Sequence, residues 1–333
     1  MALTENDPPI LKVSGLKTCF FTGEGVIKAA DDVSLEINRG EVLGLVGESG
    51  CGKSVTALSI LRLVASPPGR ILDGRVEFMG KDLLTMSSRE LRKIRGGKIS
   101  MIFQDPLACL NPVLRVGYQL SEVFRYHKGF NRADSLRESI RMLKTTDIPS
   151  PQERVKNFPH EMSGGMRQRA MIAMALSCDP ALLIADEPTT ALDVTVQAQV
   201  FKLMKQLCSE RKTAVLLITH DMGIVANMCN QVAVMYAGRI VEYSDVSTLF
   251  SNPAHPYTEG LLRSLPRLGA KRNRLDFIEG QPPRLDRLGK GCAFGPRCHY
   301  SIPRCESEAP ELLPIGDDHM IRCFNPTHGK KHG

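Results

Sequence analysis

Over its first 250 residues the chain alternates short apolar runs with stretches of helical period, and beyond that the regularity fades. Residues 10–40 read as strands and turns, and Val33-Ser34-Leu35-Glu36-Ile37 alternates as a half-buried strand does. Val42–Val46, Arg75–Phe78 and residues 98–103 read as further strands. Ala181–Ala185 and Ala214–Ile218 are continuous apolar runs, as buried strands require, and Val232–Met235 and Ile240–Val241 close the set. Helical texture lies after residue 53, near 116–128 and 132–146, over Met166–Ser177, and over Gln197–Arg211, where Val200, Phe201, Leu203, Met204 and Leu207 are the apolar positions. Strands alternating with helices predict an α/β fold built on a mostly parallel sheet covered on both faces. Between about 105 and 165 the strand-like runs stop, which predicts a helical insertion. Proline and arginine rise beyond 250, so the pattern divides the chain into 1–250 and an extension, 251–333.

Composition narrows the possibilities. A chain of 333 residues can bury one large core and a smaller domain. The net charge of +7 comes without an aromatic-interleaved basic stripe, so a nucleic-acid partner is not expected. No run of about 18 apolar residues is present, and MALTENDPPILK has neither a basic nor an apolar signal region. Membrane contact is therefore expected through a partner. Ten cysteines without a secretory signal argue against a disulfide framework. Six of them, Cys19, Cys51, Cys109, Cys178, Cys208 and Cys229, are scattered and read as small buried or loop-filling residues, while the other four crowd into the last 42 residues.

The sharpest chemistry follows the strand Val42–Val46. Gly47-Glu48-Ser49-Gly50-Cys51-Gly52-Lys53-Ser54 has the pattern G-x-x-x-x-G-K-[ST] between a strand and a helix, the setting of a phosphate-binding loop. The glycines let successive N–H groups point at one anion, and the following helix adds the positive end of its dipole. Lys53 supplies a point charge for the β- and γ-phosphates and Ser54 a hydroxyl for Mg²⁺. Downstream, the apolar strand Leu182-Leu183-Ile184-Ala185 ends in Asp186 and Glu187. Asp186 suits Mg²⁺, and Glu187 suits a general base that polarises attacking water.

Ser163-Gly164-Gly165-Met166-Arg167-Gln168, between those two motifs, resembles the signature loop of ATP-binding-cassette (ABC) proteins, with Met162 where leucine is usual and Met166 where glutamine is usual. Gln104 in IFQDP resembles that family's Q-loop, Ala191-Leu192-Asp193 its D-loop, His220 in ITHD its switch histidine, and Phe20 the aromatic that stacks on adenine. The motifs occur in family order over about residues 10–250. The resemblance implies a nucleotide-binding domain with an antiparallel β subdomain, in which residues 47–54, Phe20, Gln104 and Asp186 hold ATP. Ser54, Gln104 and Asp186 attend Mg²⁺, and Glu187, His220 and Gln104 serve hydrolysis. It also implies that Ser163, Gly164, Gly165, Met166 and Asp193 reach nucleotide bound by a second cassette. One P-loop and one signature loop per chain make a dimer necessary for complete sites.

The end of the chain carries Cys292, Cys298, Cys305 and Cys323, separated by five, six and seventeen residues. In this context they suggest a Cys₄ metal site, with neither the zinc-knuckle nor the bacterial ferredoxin spacing. Chemistry alone leaves the metal open. The HPYT…LL…LP segment and this spacing resemble the C-terminal extension of oligopeptide/dipeptide importer ATPases, which implies a [4Fe–4S] cluster on all four cysteines. His299, His319 and His328 are competing ligands that read more simply as surface residues. The resemblance further implies an ATPase subunit at the cytoplasmic face of the inner membrane. Its partners are a second cassette (a paralogue, giving a heterodimer), two membrane permeases docked at the insertion and about 105–120, and indirectly a periplasmic peptide-binding protein. Import of nickel or antimicrobial peptides, and a soluble ABC ATPase outside transport, are the alternatives.

Overall fold

The computed structural model describes residues 8–104, 109–189, 193–265, 277–316 and 318–327. Its strands are β1 (Leu11–Thr22), β2 (Gly25–Ile37), β3 (Val42–Val46), β4 (Gly69–Phe78), β5 (Lys81–Asp82), β6 (Ile99–Ile102), β7 (Leu182–Asp186), β8 (Ala214–Thr219), β9 (Gln231–Tyr236), β10 (Arg239–Asp245), β11 (Leu313–Gly316) and β12 (His319–Ile321). Chain contacts group them into two compact units, each assembled from separated segments: one of Met1–Ile10, Ile37–Glu41 and Thr85–Leu217, the other of Leu11–Glu36, Val42–Leu84 and Ile218–Gly333.

In the unit that contains the glycine-rich octet, β2-β1-β4-β5 form a four-stranded sheet, antiparallel where β4 meets β1 and β5. A second run has the order β11-β12-β10-β9-β3. There β3 lies parallel to β9, whereas β10 is antiparallel to both β9 and β12. The expected strands at 232–235 and 240–241 are thus the centres of longer ones. β11 and β12 are additions from the extension that the sequence pattern does not announce. Strands of four and three residues, one with Pro314 and Gly316, are too short to display a period of two.

In the other unit β8-β7-β6 are neighbours, and β6 runs parallel to β7. Leu182, Leu183, Ile184 and Ala185 are fully buried, which is why this strand shows no alternation. The insertion is helical as expected, with helices Val116–Lys128, Arg132–Thr145 and Pro151–Arg154 and a 3₁₀ turn at Pro159–Glu161. Asn131 caps Arg132–Thr145 by accepting from the Asp134 N–H, and Gly129 ends the preceding helix in the left-handed region.

Candidate functional site

The glycine-rich octet closes over its own lysine. The Lys53 side chain is buried, and its Nζ donates to the carbonyls of Gly47 at 2.8 Å and Glu48 at 2.9 Å. Two glycines are sterically required. A Cβ on Gly47 would lie 2.2 Å from the Met235 carbonyl oxygen, and one on Gly52, at φ +110°, would lie 1.9 Å from that of Ala29. Gly52 caps the helix Lys53–Ile60, so the helix N-terminus opens directly into the loop. Cys51 is buried, and burial pushes its thiol above the ordinary range, so it stays a neutral filler. Ser54, half-buried in the first turn, supplies the hydroxyl expected to serve Mg²⁺.

A cleft of about 350 Å³ lies along this loop, lined by Glu48, Ser49, Gly50 and Cys51, by Thr22, Glu24 and Ile27 of the β1–β2 hairpin, by Tyr236 and Ala237, and by Pro282–Asp286 of the extension. Arg284 bridges Asp286 at 2.9 Å and Glu24 at 3.1 Å across one rim. Phe20 is half-buried, its ring 2.9 Å from where a Gly69 Cβ would lie, and it is not among the residues lining this cleft. His220 is exposed just past β8. Asp221 holds that turn, accepting from the N–H groups of Gly223 at 2.8 Å and Ile224 at 3.2 Å.

In the other unit the parallel register of β6 and β7 sets Ile102 opposite Ala185. Two residues further along each strand come Gln104 and Glu187, and Gln104 Nε2 donates to Glu187 Oε2 at 3.0 Å. Asp186 ends β7 almost fully buried, and Glu187 takes a left-handed backbone at φ +43°. Ser163 is the exposed cap of the helix Gly164–Leu176, its hydroxyl accepting from the Met166 N–H at 3.3 Å. A Cβ on Gly165 would meet Val196 Cγ1 at 2.9 Å, so that glycine also makes room for the helix Val194–Arg211. Asp193 caps that helix through the Val196 N–H at 2.9 Å. Ala191 and Leu192 lie outside the described residues, as do 105–108 of the segment after Gln104. Within this unit the carboxylate of Asp186 and the amide oxygen of Gln104 are hard oxygen donors of the kind that Mg²⁺ takes.

The four late cysteines fall in one region. The Cys292 N–H donates to the Cys305 carbonyl at 2.8 Å, and a Cβ on Gly295 would lie 3.8 Å from the Cβ atoms of both. Burial pushes the Cys323 thiol up to about 12, with the nearness of Cys292, Cys298 and Cys305 adding to it. The donor set suits a thiophilic metal, although among the described residues no group of three or more His, Cys, Asp or Glu side chains is arranged as a metal site. His299 is exposed as expected, and His328 lies outside the described residues. The reading of His319 as a surface residue is corrected: it is buried in β12, 2.9 Å from Glu242 Oε1 of β10. Strand pairing that the sequence pattern does not reveal draws it inside.

Two residues of this site are not tied to it by the sequence, although Tyr257 lies in the HPYT segment. Tyr257 Oη accepts from the Glu48 N–H at 2.8 Å. Arg297, separated from Glu48 by 249 positions, grips its carboxylate at 2.7 and 3.0 Å.

Comparison with known proteins gives concordant matches. Residues 30–190 match the model described as ABC transporter, and residues 241–305 the one described as oligopeptide/dipeptide transporter, C-terminal region. The oligopeptide transport ATP-binding protein AppD of Bacillus subtilis is 48% identical over 315 residues, covering 95% of this chain and 96% of the relative. OppD of Escherichia coli, of the same description, is 49% identical over 318 residues, covering 96% and 94%. Among solved structures, a dimeric ATP-binding cassette in a post-hydrolysis state bound to ADP and Pi superposes with a TM-score of 0.63 at 26% identity, covering 71% of this chain and 98% of that one. cbiO1 from Clostridium perfringens, part of the ABC transporter complex cbiONQ, reaches 0.61 at 28% identity, covering 74% and 92%.

Proposed function

The chain belongs to the ATP-binding-cassette transporter family, among the oligopeptide transport ATP-binding proteins, and from that premise we propose that it hydrolyses ATP to drive uptake of dipeptides and oligopeptides through membrane subunits that it does not itself contain. The contact that carries the catalytic part of this reading is Gln104 Nε2 to Glu187 Oε2 at 3.0 Å. It joins the proposed base to the residue that leads into the insertion, so a change at the γ-phosphate has a short route to a docked partner.

On this reading the octet 47–54 cradles the triphosphate, Phe20 serves the base, and Lys53 turns from its own loop carbonyls to the β- and γ-phosphates. Ser54, Asp186 and Gln104 would hold Mg²⁺, which would supply charge neutralisation at the phosphate oxygens. Glu187 takes the proton of the attacking water and His220 steadies the γ-phosphate. Ser163 and the N–H groups of Gly164, Gly165 and Met166, at an exposed helix N-terminus, grip the γ-phosphate held by a second cassette, with Asp193 beside them. A second cassette is needed because the chain carries one P-loop and one signature loop, and on this reading that cassette is a paralogue. A soluble periplasmic protein delivers the peptide.

The insertion offers the docking face for two permeases. A cleft there is lined by Phe103, Cys109, Leu110, Val123, Met171 and Met174, and Val113 and Tyr118 nearby in sequence are 75% and 51% exposed. Among the described residues no helix is long and apolar enough to cross a membrane; the place that goes with the permeases on this reading is peripheral, at the cytoplasmic face. Relatives of oligopeptide description along nearly the whole chain favour peptides over nickel, and transport over a non-transport ATPase.

Cys292, Cys298, Cys305 and Cys323 would hold a [4Fe–4S] cluster on the same reading. The cluster would cross-link a loop-rich segment. Anaerobic purification is expected to give brown protein with broad visible absorbance; a colourless chain with one bound zinc would remove the cluster from the account.

The transport reading is tested in proteoliposomes carrying both permeases, the paralogue and this chain. Peptide accumulation should require ATP and vanish with Lys53→Ala. Accumulation that persists in the Lys53 variant, or a complex that moves nickel and no peptide, would overturn it.

A further inference from the structure

The extension reaches the phosphate-binding loop through one residue of that loop, Glu48. Its backbone N–H donates to Tyr257 Oη at 2.8 Å, and its carboxylate receives Arg297 Nη1 at 2.7 Å and Nη2 at 3.0 Å. The Arg297 side chain is 6% exposed and that of Glu48 25%, so this is a partly buried, two-pronged pair. Arg297 Nε is committed to the Glu279 carbonyl at 2.9 Å, which fixes the plane of the guanidinium. Tyr236 and Phe294 pack against it, their ring centroids 5.9 and 6.0 Å from the guanidinium carbon. The pair holds Arg297 fully charged.

Glu48 itself is a problem for a loop that binds polyphosphate, because it places a carboxylate among the groups that must receive negative charge. Arg297 neutralises that carboxylate, and together with Tyr257 it fixes both the side chain and the backbone of the residue. We propose that Arg297 and Tyr257 are positioning residues of the ATP site, and that the extension thereby completes the phosphate-binding loop instead of merely following the cassette. The inference deepens the assignment of ATP to residues 47–54 and rests on it. Arg297 is the chain neighbour of Cys298, so the order of the cysteine segment and that of the phosphate loop are held together by one peptide bond.

The test measures Mg-ATP affinity of the full chain by calorimetry, and KM and kcat for ATP in the reconstituted transporter, for Arg297→Ala, Arg297→Lys, Glu48→Gln and the double variant Arg297→Ala/Glu48→Gln. Arg297→Ala leaves an uncompensated carboxylate beside the phosphates, which at protein-surface dielectric weakens ATP by about tenfold to a hundredfold. KM should rise accordingly while kcat at saturating ATP changes by no more than about threefold. Arg297→Lys should recover part of the affinity, since charge returns without the two-pronged grip. The double variant should recover most of it, because the charge that needed neutralising is gone. Native affinity in Arg297→Ala overturns the proposal, and so does a double variant as weak as Arg297→Ala. Should Arg297→Ala fail to fold, the double variant and Arg297→Lys still decide: native affinity in Arg297→Lys together with weak binding in the double variant overturns it. A native chain that binds no ATP at all would instead defeat the assignment of the loop.

Discussion

Glu187 shows how much one residue's surroundings decide. Its backbone sits at φ +43°, a left-handed conformation that costs a non-glycine residue of order 1–2 kcal/mol. That conformation ends β7 and turns the side chain to Gln104. A strained acidic residue at the end of a buried strand suits a base held ready for one task. Glu187→Gln is expected to keep ATP bound and to lower turnover by about 10²-fold or more, with the closed dimer accumulating in size-exclusion chromatography. Normal turnover by that variant would remove Glu187 from the mechanism. Gly52 makes the complementary point about shape. Alanine there would drive a methyl group to within 1.9 Å of the Ala29 carbonyl oxygen, so Gly52→Ala should abolish nucleotide binding even though no functional group is lost.

Between elements, register does the assembling. The parallel pairing of β6 with β7 carries Gln104 to Glu187. In the other unit the antiparallel pairing of β10 with β12 carries His319 to Glu242. Glu242 also accepts the N–H groups of Ala254 at 2.7 Å and His255 at 2.9 Å, and its carboxyl falls below the usual range because these bonds and His319 outweigh its burial. His255 accepts from the Tyr257 N–H through Nδ1 at 3.0 Å, and burial lowers its pKa to about 4. The folded His255 therefore stays neutral where the unfolded one, near 6.5, takes up a proton. Stability from this residue is complete above about pH 6.5 and is lost as pH falls towards 4, with Glu242 adding to the loss below about 4.5. The melting temperature should drop over that window, and His255→Asn should flatten the slope between 6.5 and 4. An unchanged slope would mean that other groups set the acid limit.

The whole molecule is half of a working unit. It carries one phosphate-binding loop and one signature loop, so the purified chain alone should hydrolyse ATP slowly, and addition of a second cassette should raise the rate steeply and with second-order dependence on concentration. A rate per chain independent of both would place the complete site within one polypeptide. The sequence by itself determined the α/β class, the helical insertion and the motifs of the cassette. Each of these rests on contiguous residues, whose spacing is preserved in the chain and whose apolar period reports one face of one element. Only the tertiary structure decided that β11 and β12 join β10 and that His319 is buried. It alone shows that Arg297 and Tyr257 hold Glu48. Those outcomes depend on pairings across scores to hundreds of residues, and a side chain that meets its partner from such a distance leaves no record of that partner in the sequence around it.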